Sequence, residues 1–349
     1  MATKPKKRAV SLGPWDWALV LSQATGITFG LMFKATKALF SRRKNLHEYI
    51  AYEGMRDYQS QLGAVPIQNL LPTTTATCVR FARRHGLAYS TLQLPQETTA
   101  IRLGSSNAKD IRVLFHGGGY MAAVLDEHLS FACGFSKPLK EDVAVFVLQY
   151  SLASEHANHY PRQLQEAVWL LELLFSRGIP PMAITLVGDS AGGHLLLSLL
   201  LHLTHPNPQV SPLELSGRLS GAALISPWVE LKSTSESMKT NSNKDVLEAA
   251  ALDYWAGNFL GDSEPDPWNS PLTAPAEWWS NLPVDRILVT YGDNELLRDD
   301  IGTLCDLLQS HSNKLALRFA GELHVHMVMN RFLRINKPCE SEETLNTSD

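Results

Sequence analysis

The chain has 349 residues, 44% of them hydrophobic and 19% charged, with a formal net charge of −4; this is the composition of a folded globular protein, not a disordered or fibrous one. The charge balance lacks the basic excess of a nucleic-acid-binding protein. Four scattered cysteines (Cys78, Cys133, Cys305 and Cys339) form no CxxC pair, which argues against a disulfide framework or a cysteine metal site and fits free thiols in a reducing compartment inside the cell.

The N-terminus carries Lys4, Lys6, Lys7 and Arg8, followed by a stretch from Trp17 to Phe33 without a charged residue. Polar Ser22, Gln23, Thr25 and Thr28 interrupt it, and no small-residue cleavage site follows, so a signal peptide is the weakest reading. Two readings stay open for residues 15–40: a helix at a membrane interface, flanked by Trp15, Trp17, Lys34 and Lys37, or a soluble helix folded over a site.

From about residue 87 strand-like and helix-like segments alternate, the pattern of a mostly parallel sheet flanked by helices. Leu87–Leu94 and Thr99–Leu103 read as early strands, followed by Ile111–Phe115 and the continuously apolar Val143–Gln149. Leu164, Val168, Leu171 and Phe175 recur at helical spacing, so residues 161–176 form an amphipathic helix opened by a proline. Ile184–Val187 is a strand that runs into a long apolar helix from Ala191. Ala222–Ile225, Ile287–Tyr291 and Leu315–Phe319 supply the last strands, with helices over Asp299–Ser310 and after His326. Residues 1–86 and 231–283 break the alternation and are too long for simple connections, so both read as cap regions. The expected organisation is an N-terminal helical cap over 1–86, an α/β domain over 87–338 with a cap insertion at 231–283, and a polar tail over 339–349.

Two motifs carry chemistry. Gly188-Asp189-Ser190-Ala191-Gly192 matches G-x-S-x-G between an apolar strand and an apolar helix, a sharp turn that exposes a nucleophilic serine in front of a helix N-terminus. His116-Gly117-Gly118-Gly119-Tyr120 follows the strand Ile111–Phe115. Its glycines let backbone N–H groups approach a developing oxyanion; Gly117 and Gly118 are the expected donors, with the N–H of Ala191 as a third. A serine nucleophile also needs an acid and a histidine, which follow it in that order along the chain. Asp293, Glu295, Asp299 and Asp300 after the strand Ile287–Tyr291 are the acid candidates, and His324 and His326 the base candidates. No metal-ligand spacing or dinucleotide fingerprint is present, so no cofactor or metal is expected.

Over roughly residues 85 to 335 the chain resembles the hormone-sensitive-lipase-like branch of the α/β hydrolases, with the Glu295 variant most similar to fungal members. HGGGY and GDSAGG are that branch's signatures. Tyr150–Glu155 is similar to its tyrosine-x-leucine-alanine-proline-glutamate segment, with Ser154 in place of proline. Ser226-Pro227-Trp228 and Asn269–Leu272 are familial as well. The resemblance implies an α/β-hydrolase fold and a triad of Ser190, Glu295 and His324, with Asp293 and His326 in reserve. Glu295 stands where most members have aspartate.

The implied activity is two-step acyl transfer cleaving a short-chain or acetyl ester of a hydrophobic alcohol. Rival readings are a biosynthetic enzyme of secondary metabolism acting on a polyketide or thioester, and a non-catalytic binder that keeps the fold. The implied partner is a small hydrophobic ester, and the fungal resemblance implies a location in the cytoplasm or at the endoplasmic-reticulum membrane; membrane contact through the N-terminal segment stays open beside the soluble-helix reading. Trp228, Trp255, Trp278 and Trp279 are expected pocket walls.

Overall fold

A computed structural model describes residues 11–42, 45–134, 142–310, 314–335 and 339–347; Lys4, Lys6, Lys7 and Arg8 lie outside them. Four helices come first: α1 (Pro14–Phe40), α2 (Leu46–Gln61), α3 (Ala64–Leu70) and α4 (Thr74–Arg84). The next elements are β1 (Tyr89–Gln93), β2 (Thr99–Gly104), β3 (Asp110–Phe115), α5 (Asp126–Gly134), β4 (Val143–Gln149), α6 (Arg162–Ser176), β5 (Ile184–Asp189) and α7 (Ala191–Thr204). The chain then continues through β6 (Gly221–Ile225), α8 (Ser237–Thr240), α9 (Ala249–Leu260), β7 (Ile287–Gly292), α10 (Arg298–Leu307), β8 (Lys314–Phe319), α11 (His326–Phe332) and α12 (Glu340–Thr347).

The eight strands form one sheet in the order β1-β2-β4-β3-β5-β6-β7-β8. The β1–β2 and β2–β4 pairs are antiparallel and all others parallel, so this is an α/β-hydrolase sheet with helices on both faces. Every residue of β4 is buried, as its unbroken apolar run requires. Helix α7 is buried from Ala191 to His202, which explains an apolar sequence without a polar face: the helix lies between the sheet and the segments that cover it. Helix α6 shows the opposite pattern, burying Leu164, Val168 and Leu171 while its other side meets solvent. Because β3, β5, β6, β7 and β8 run parallel, their C-terminal ends share one edge of the sheet, where open α/β sheets carry their sites.

The N-terminal helices cover that edge. Side chains tie them down: Tyr254 Oη of α9 accepts the otherwise orphaned Ala64 N–H at the start of α3 (2.9 Å), and Gln149 Oε1 accepts both the N–H and the hydroxyl of Thr75. The 231–283 segment divides. Around α9 it supplies pocket and core, whereas residues 237–245 wrap the loop after β7. Helix α12 gives the polar tail structure, its Ser341 N–H donating to Glu322 Oε1 at 3.0 Å.

Candidate active site

Ser190 sits between β5 and α7 with φ 51° and ψ −119°, a sparsely populated conformation that costs about 1–3 kcal/mol and is held by its surroundings. The neighbouring glycines are obligatory. A Cβ on Gly192 would lie 1.8 Å from the Phe115 carbonyl oxygen, and one on Gly188 would lie 2.5 Å from that of Gly192. This tight turn pushes the Ser190 side chain out of the sheet edge.

Three side chains meet there. Ser190 Oγ–H donates to His324 Nε2 at 2.8 Å, and His324 Nδ1–H donates to Glu295 Oε2 at 3.1 Å. Glu295 is fully buried at the end of β7, and its other oxygen accepts from Ser226 Oγ (2.7 Å) and the Gly292 N–H (2.5 Å). Ser226 in turn accepts the Val325 N–H at 3.1 Å, so one hydroxyl orders both the acid and the turn after the histidine. Burial pulls the His324 pKa down, but the hydrogen bond and charge of Glu295, with further help from Asp245 and Asp189, outweigh it and raise the pKa above 6.5.

The reserve candidates lie elsewhere. Asp293 is at the surface, paired with Arg318. His326 is buried at the start of α11, its Nε2 2.8 Å from the Asn330 amide. Asp299 pairs with Arg298 and accepts the Ser237 N–H. A possible ligand cluster of Glu322, His326 and Cys339 lies behind the acid loop, but the Ser341 N–H, the Asn330 amide and the Ser341 hydroxyl already engage its three members.

The oxyanion assignment needs one correction. The Gly117 N–H donates to Asp189 Oδ1 at 3.0 Å and so is not available to a substrate. Asp189, the variable residue of the serine motif, is buried and also accepts from His128 Nε2 at 3.2 Å. Burial would raise its pKa, but His128 and the Gly117 amide hold it below the ordinary carboxylate value. Gly118 and Gly119, at φ 106° and 59°, line the cavity in front of Ser190. Among the described residues, their N–H groups and that of Ala191 have no intramolecular acceptor. Gly119 thus takes the place expected of Gly117. The third glycine of the motif was the available signal; a Cβ there would collide with the Trp255 ring at 2.6 Å.

The motif's outer residues brace the turn. His116 Nδ1–H donates to the Gly117 carbonyl (2.8 Å), and Tyr150 Oη–H donates to the His116 carbonyl (2.7 Å). His194, one helical turn beyond Ser190, accepts from Tyr120 Oη–H at 2.6 Å and donates from Nε2 to the Asn269 carbonyl at 2.8 Å. Burial lowers the pKa of both histidines to about 4, so they are neutral packing groups.

In front of Ser190 lies a cavity of about 520 Å³, within the roughly 300–1,000 Å³ usual for small-molecule sites. Tyr58, Ile67 and Leu70 wall it from the N-terminal helices, Trp255 from α9, and Val328 and Phe332 from α11. Of the four tryptophans expected as walls, only Trp255 reaches it. Trp228 and Trp279 are buried in the core, and Trp278 packs against His205.

Sheet order, serine turn and glycine loop together define an α/β hydrolase of the hormone-sensitive-lipase-like branch. A solved esterase of the bacterial hormone-sensitive lipase family superposes over 85% of this chain and 88% of its own, with a TM-score of 0.61 and 22% identity. Residues 104–327 match the family model described as steryl acetyl hydrolase; the chain belongs to that family and is a carboxylic ester hydrolase. It is 26% identical over 258 residues to a putative steryl acetyl hydrolase of Schizosaccharomyces pombe, an alignment covering 69% of this chain and 66% of the relative. An esterase of Acinetobacter venetianus is 29% identical over 244 residues, covering 69% of this chain and 75% of its own.

Proposed function

We propose that the protein hydrolyses an acetyl or other short-chain ester of a hydrophobic alcohol by a serine mechanism. His324, oriented by Glu295, takes the proton of Ser190 as Oγ attacks the ester carbonyl. The carbonyl oxygen becomes an oxyanion against the N–H groups of Gly118, Gly119 and Ala191. His324 then protonates the departing alcohol, and water repeats the sequence on the acyl-enzyme to release the acid.

The observation that carries this reading is the hydrogen-bonded series Ser190–His324–Glu295 at the floor of an apolar cavity. Among the described residues the cavity wall offers no unpaired charge, so it favours a neutral, bulky, hydrophobic alcohol. The acetyl group is suggested by relatives named steryl acetyl hydrolases. The test is turnover of steryl acetates against steryl esters of long-chain acids and against acyl thioesters. Preference for the acetate supports the reading; a preference for thioesters transfers the same machinery to biosynthetic release.

The N-terminal helix supports contact with a membrane. Helix α1 is long and apolar enough to cross one, and several of its large apolar side chains face outward. Lys34 turns inward to Glu53 and Asp57 of α2, while Phe29, Phe33 and Phe40 stand 66%, 72% and 86% exposed. Leu31, on the inner side, lines the cavity, so a lipid surface at α1 would lie beside the substrate's entrance. The free thiols suit an intracellular membrane. The full chain should sediment with phosphatidylcholine vesicles, and the Leu21→Ser/Phe29→Ser/Phe33→Ser variant should not, while both cleave a soluble ester alike. Equal vesicle binding by the two would refute the contact.

A further inference from the structure

We infer that Asp245 is a positioning residue that locks the acid and histidine loops into one catalytic unit and joins them to the N-terminal cap. The inference rests on the serine mechanism proposed above. Asp245 is fully buried, in a segment whose sequence announces only a polar connection. Its Oδ2 accepts the Leu296 N–H at 2.7 Å, immediately after Glu295. Its Oδ1 accepts the N–H of His324 itself at 3.0 Å, along with its own neighbour Val246 N–H at 2.7 Å. One carboxylate therefore bridges the backbone of both loops that deliver the triad.

Two further residues at helical spacing before it grip the acid loop alone. Ser237 Oγ–H donates to the Leu296 carbonyl at 2.6 Å, and Asn241 Nδ2 donates to the carbonyls of Asp293 and Glu295 at 2.9 and 2.8 Å. Both are fully buried. Among these three, only Asp245 also reaches the histidine.

Asp245 is also the point where the cap reaches the chemistry. Arg56 of α2 donates to the Asp245 carbonyl. The flanking Val246 and Leu247, with Met55 and Gln59 on either side of Arg56, line the cavity. A substrate resting on those walls thus bears on the residue that sets the distance between His324 and Glu295. The groups facing His324 are Glu295 from the β7 end, Asp189 from β5 and Asp245 from the cap. Burial and Glu295 raise the Asp245 pKa, against His324 and the N–H groups that favour its charge.

Asparagine at 245 keeps the shape but replaces one accepting oxygen with an amide that faces an N–H donor, either that of Leu296 or those of Val246 and His324. A misplacement on the order of 1 Å in a catalytic group costs about 100-fold in rate. The experiment compares full-length wild type and Asp245→Asn on p-nitrophenyl acetate, with active sites titrated by a fluorophosphonate and folding checked by near-UV circular dichroism. The expected result is a 10- to 100-fold fall in kcat per titrated site, KM within about twofold, and an acid limb of kcat/KM moved to lower pH because a negative group facing His324 is gone. Arg56→Leu should lower kcat in the same direction by a smaller factor. The inference is overturned if folded Asp245→Asn keeps the wild-type kcat and acid limb, or if its loss equals its loss of titratable sites. Failure of the underlying mechanism would show separately, as a wild-type protein that neither turns over ester nor takes up the fluorophosphonate.

Discussion

Replacing Glu295 with glutamine tests the acid assignment at the level of single hydrogen atoms. Glu295 Oε1 accepts from two donors, Ser226 Oγ–H and the Gly292 N–H, so in the variant this position must hold the amide oxygen. The amide nitrogen then occupies the Oε2 position, 3.1 Å from His324 Nδ1, and presents a hydrogen where the carboxylate accepted one. His324 is driven to carry its proton on Nε2, the atom that must accept the proton of Ser190. The variant would fold, yet hold the wrong tautomer. In Ser-His-Asp enzymes the equivalent change costs about 10⁴-fold in kcat, which is about 5 kcal/mol of transition-state stabilisation. Steady-state hydrolysis of p-nitrophenyl acetate measures it, with Asp293→Asn as the comparison, since the Asp293 side chain pairs with Arg318 at the surface. The expected outcome is a loss of about 10⁴-fold for Glu295→Gln and near wild-type activity for Asp293→Asn. A Glu295→Gln enzyme within about tenfold of wild type, or an equal loss at Asp293, would refute the reasoning.

Three further outcomes follow from the geometry. Because Glu295, Asp245 and Asp189 together hold the His324 pKa above 6.5 against burial, and the neutral ring is the base, kcat/KM should rise with pH along an acid limb centred above 6.5; a limb centred at or below that value would contradict the electrostatics. His116 and His194, lowered to about 4 by burial, stay neutral in the folded state while the unfolded chain protonates near 6.5. Their stabilisation is therefore intact above pH 6.5 and lost as pH falls toward 4, by roughly 1.4 kcal/mol per pH unit for each histidine, while the raised His324 works in the opposite direction. Urea midpoints at pH 7 and pH 5 check this, and an unchanged midpoint would count against the two buried neutral rings. Gly192→Ala should fail to fold, because its Cβ would lie 1.8 Å from a backbone oxygen of β3; a soluble, active variant would show that the turn is looser than described.

The sheet was largely legible because the central parallel strands β4, β5 and β6 are short, buried, largely apolar runs, and the serine and glycine motifs mark the ends of two strands. Ser190, Glu295 and His324 could be proposed from order and motif context because each sits directly after a strand or its turn, and the fold brings the three side chains into one hydrogen-bonded series. Gly117 misled for a different reason. Adjacent glycines look alike in sequence, and only the fold shows that the Asp189 carboxylate takes the first of the three amides. His128 and Asp245 had no readable signal, being lone polar residues brought to the site by tertiary packing. The 231–283 segment reads as a cap from its length and its break in the alternation, which carry no sign that Ser237 and Asn241 within it are buried donors to the acid loop. Trp228 and Trp279 followed the commoner fate of large aromatics and joined the core.

The most direct test of the central claim is intact-protein mass spectrometry after fluorophosphonate treatment, run beside p-nitrophenyl acetate turnover for the wild type and Ser190→Ala. The account predicts one adduct per wild-type chain, mapped to Ser190, with turnover and labelling both absent from the variant. A folded wild-type chain that takes up no label, or a Ser190→Ala variant that still turns over ester at the wild-type rate, would contradict it.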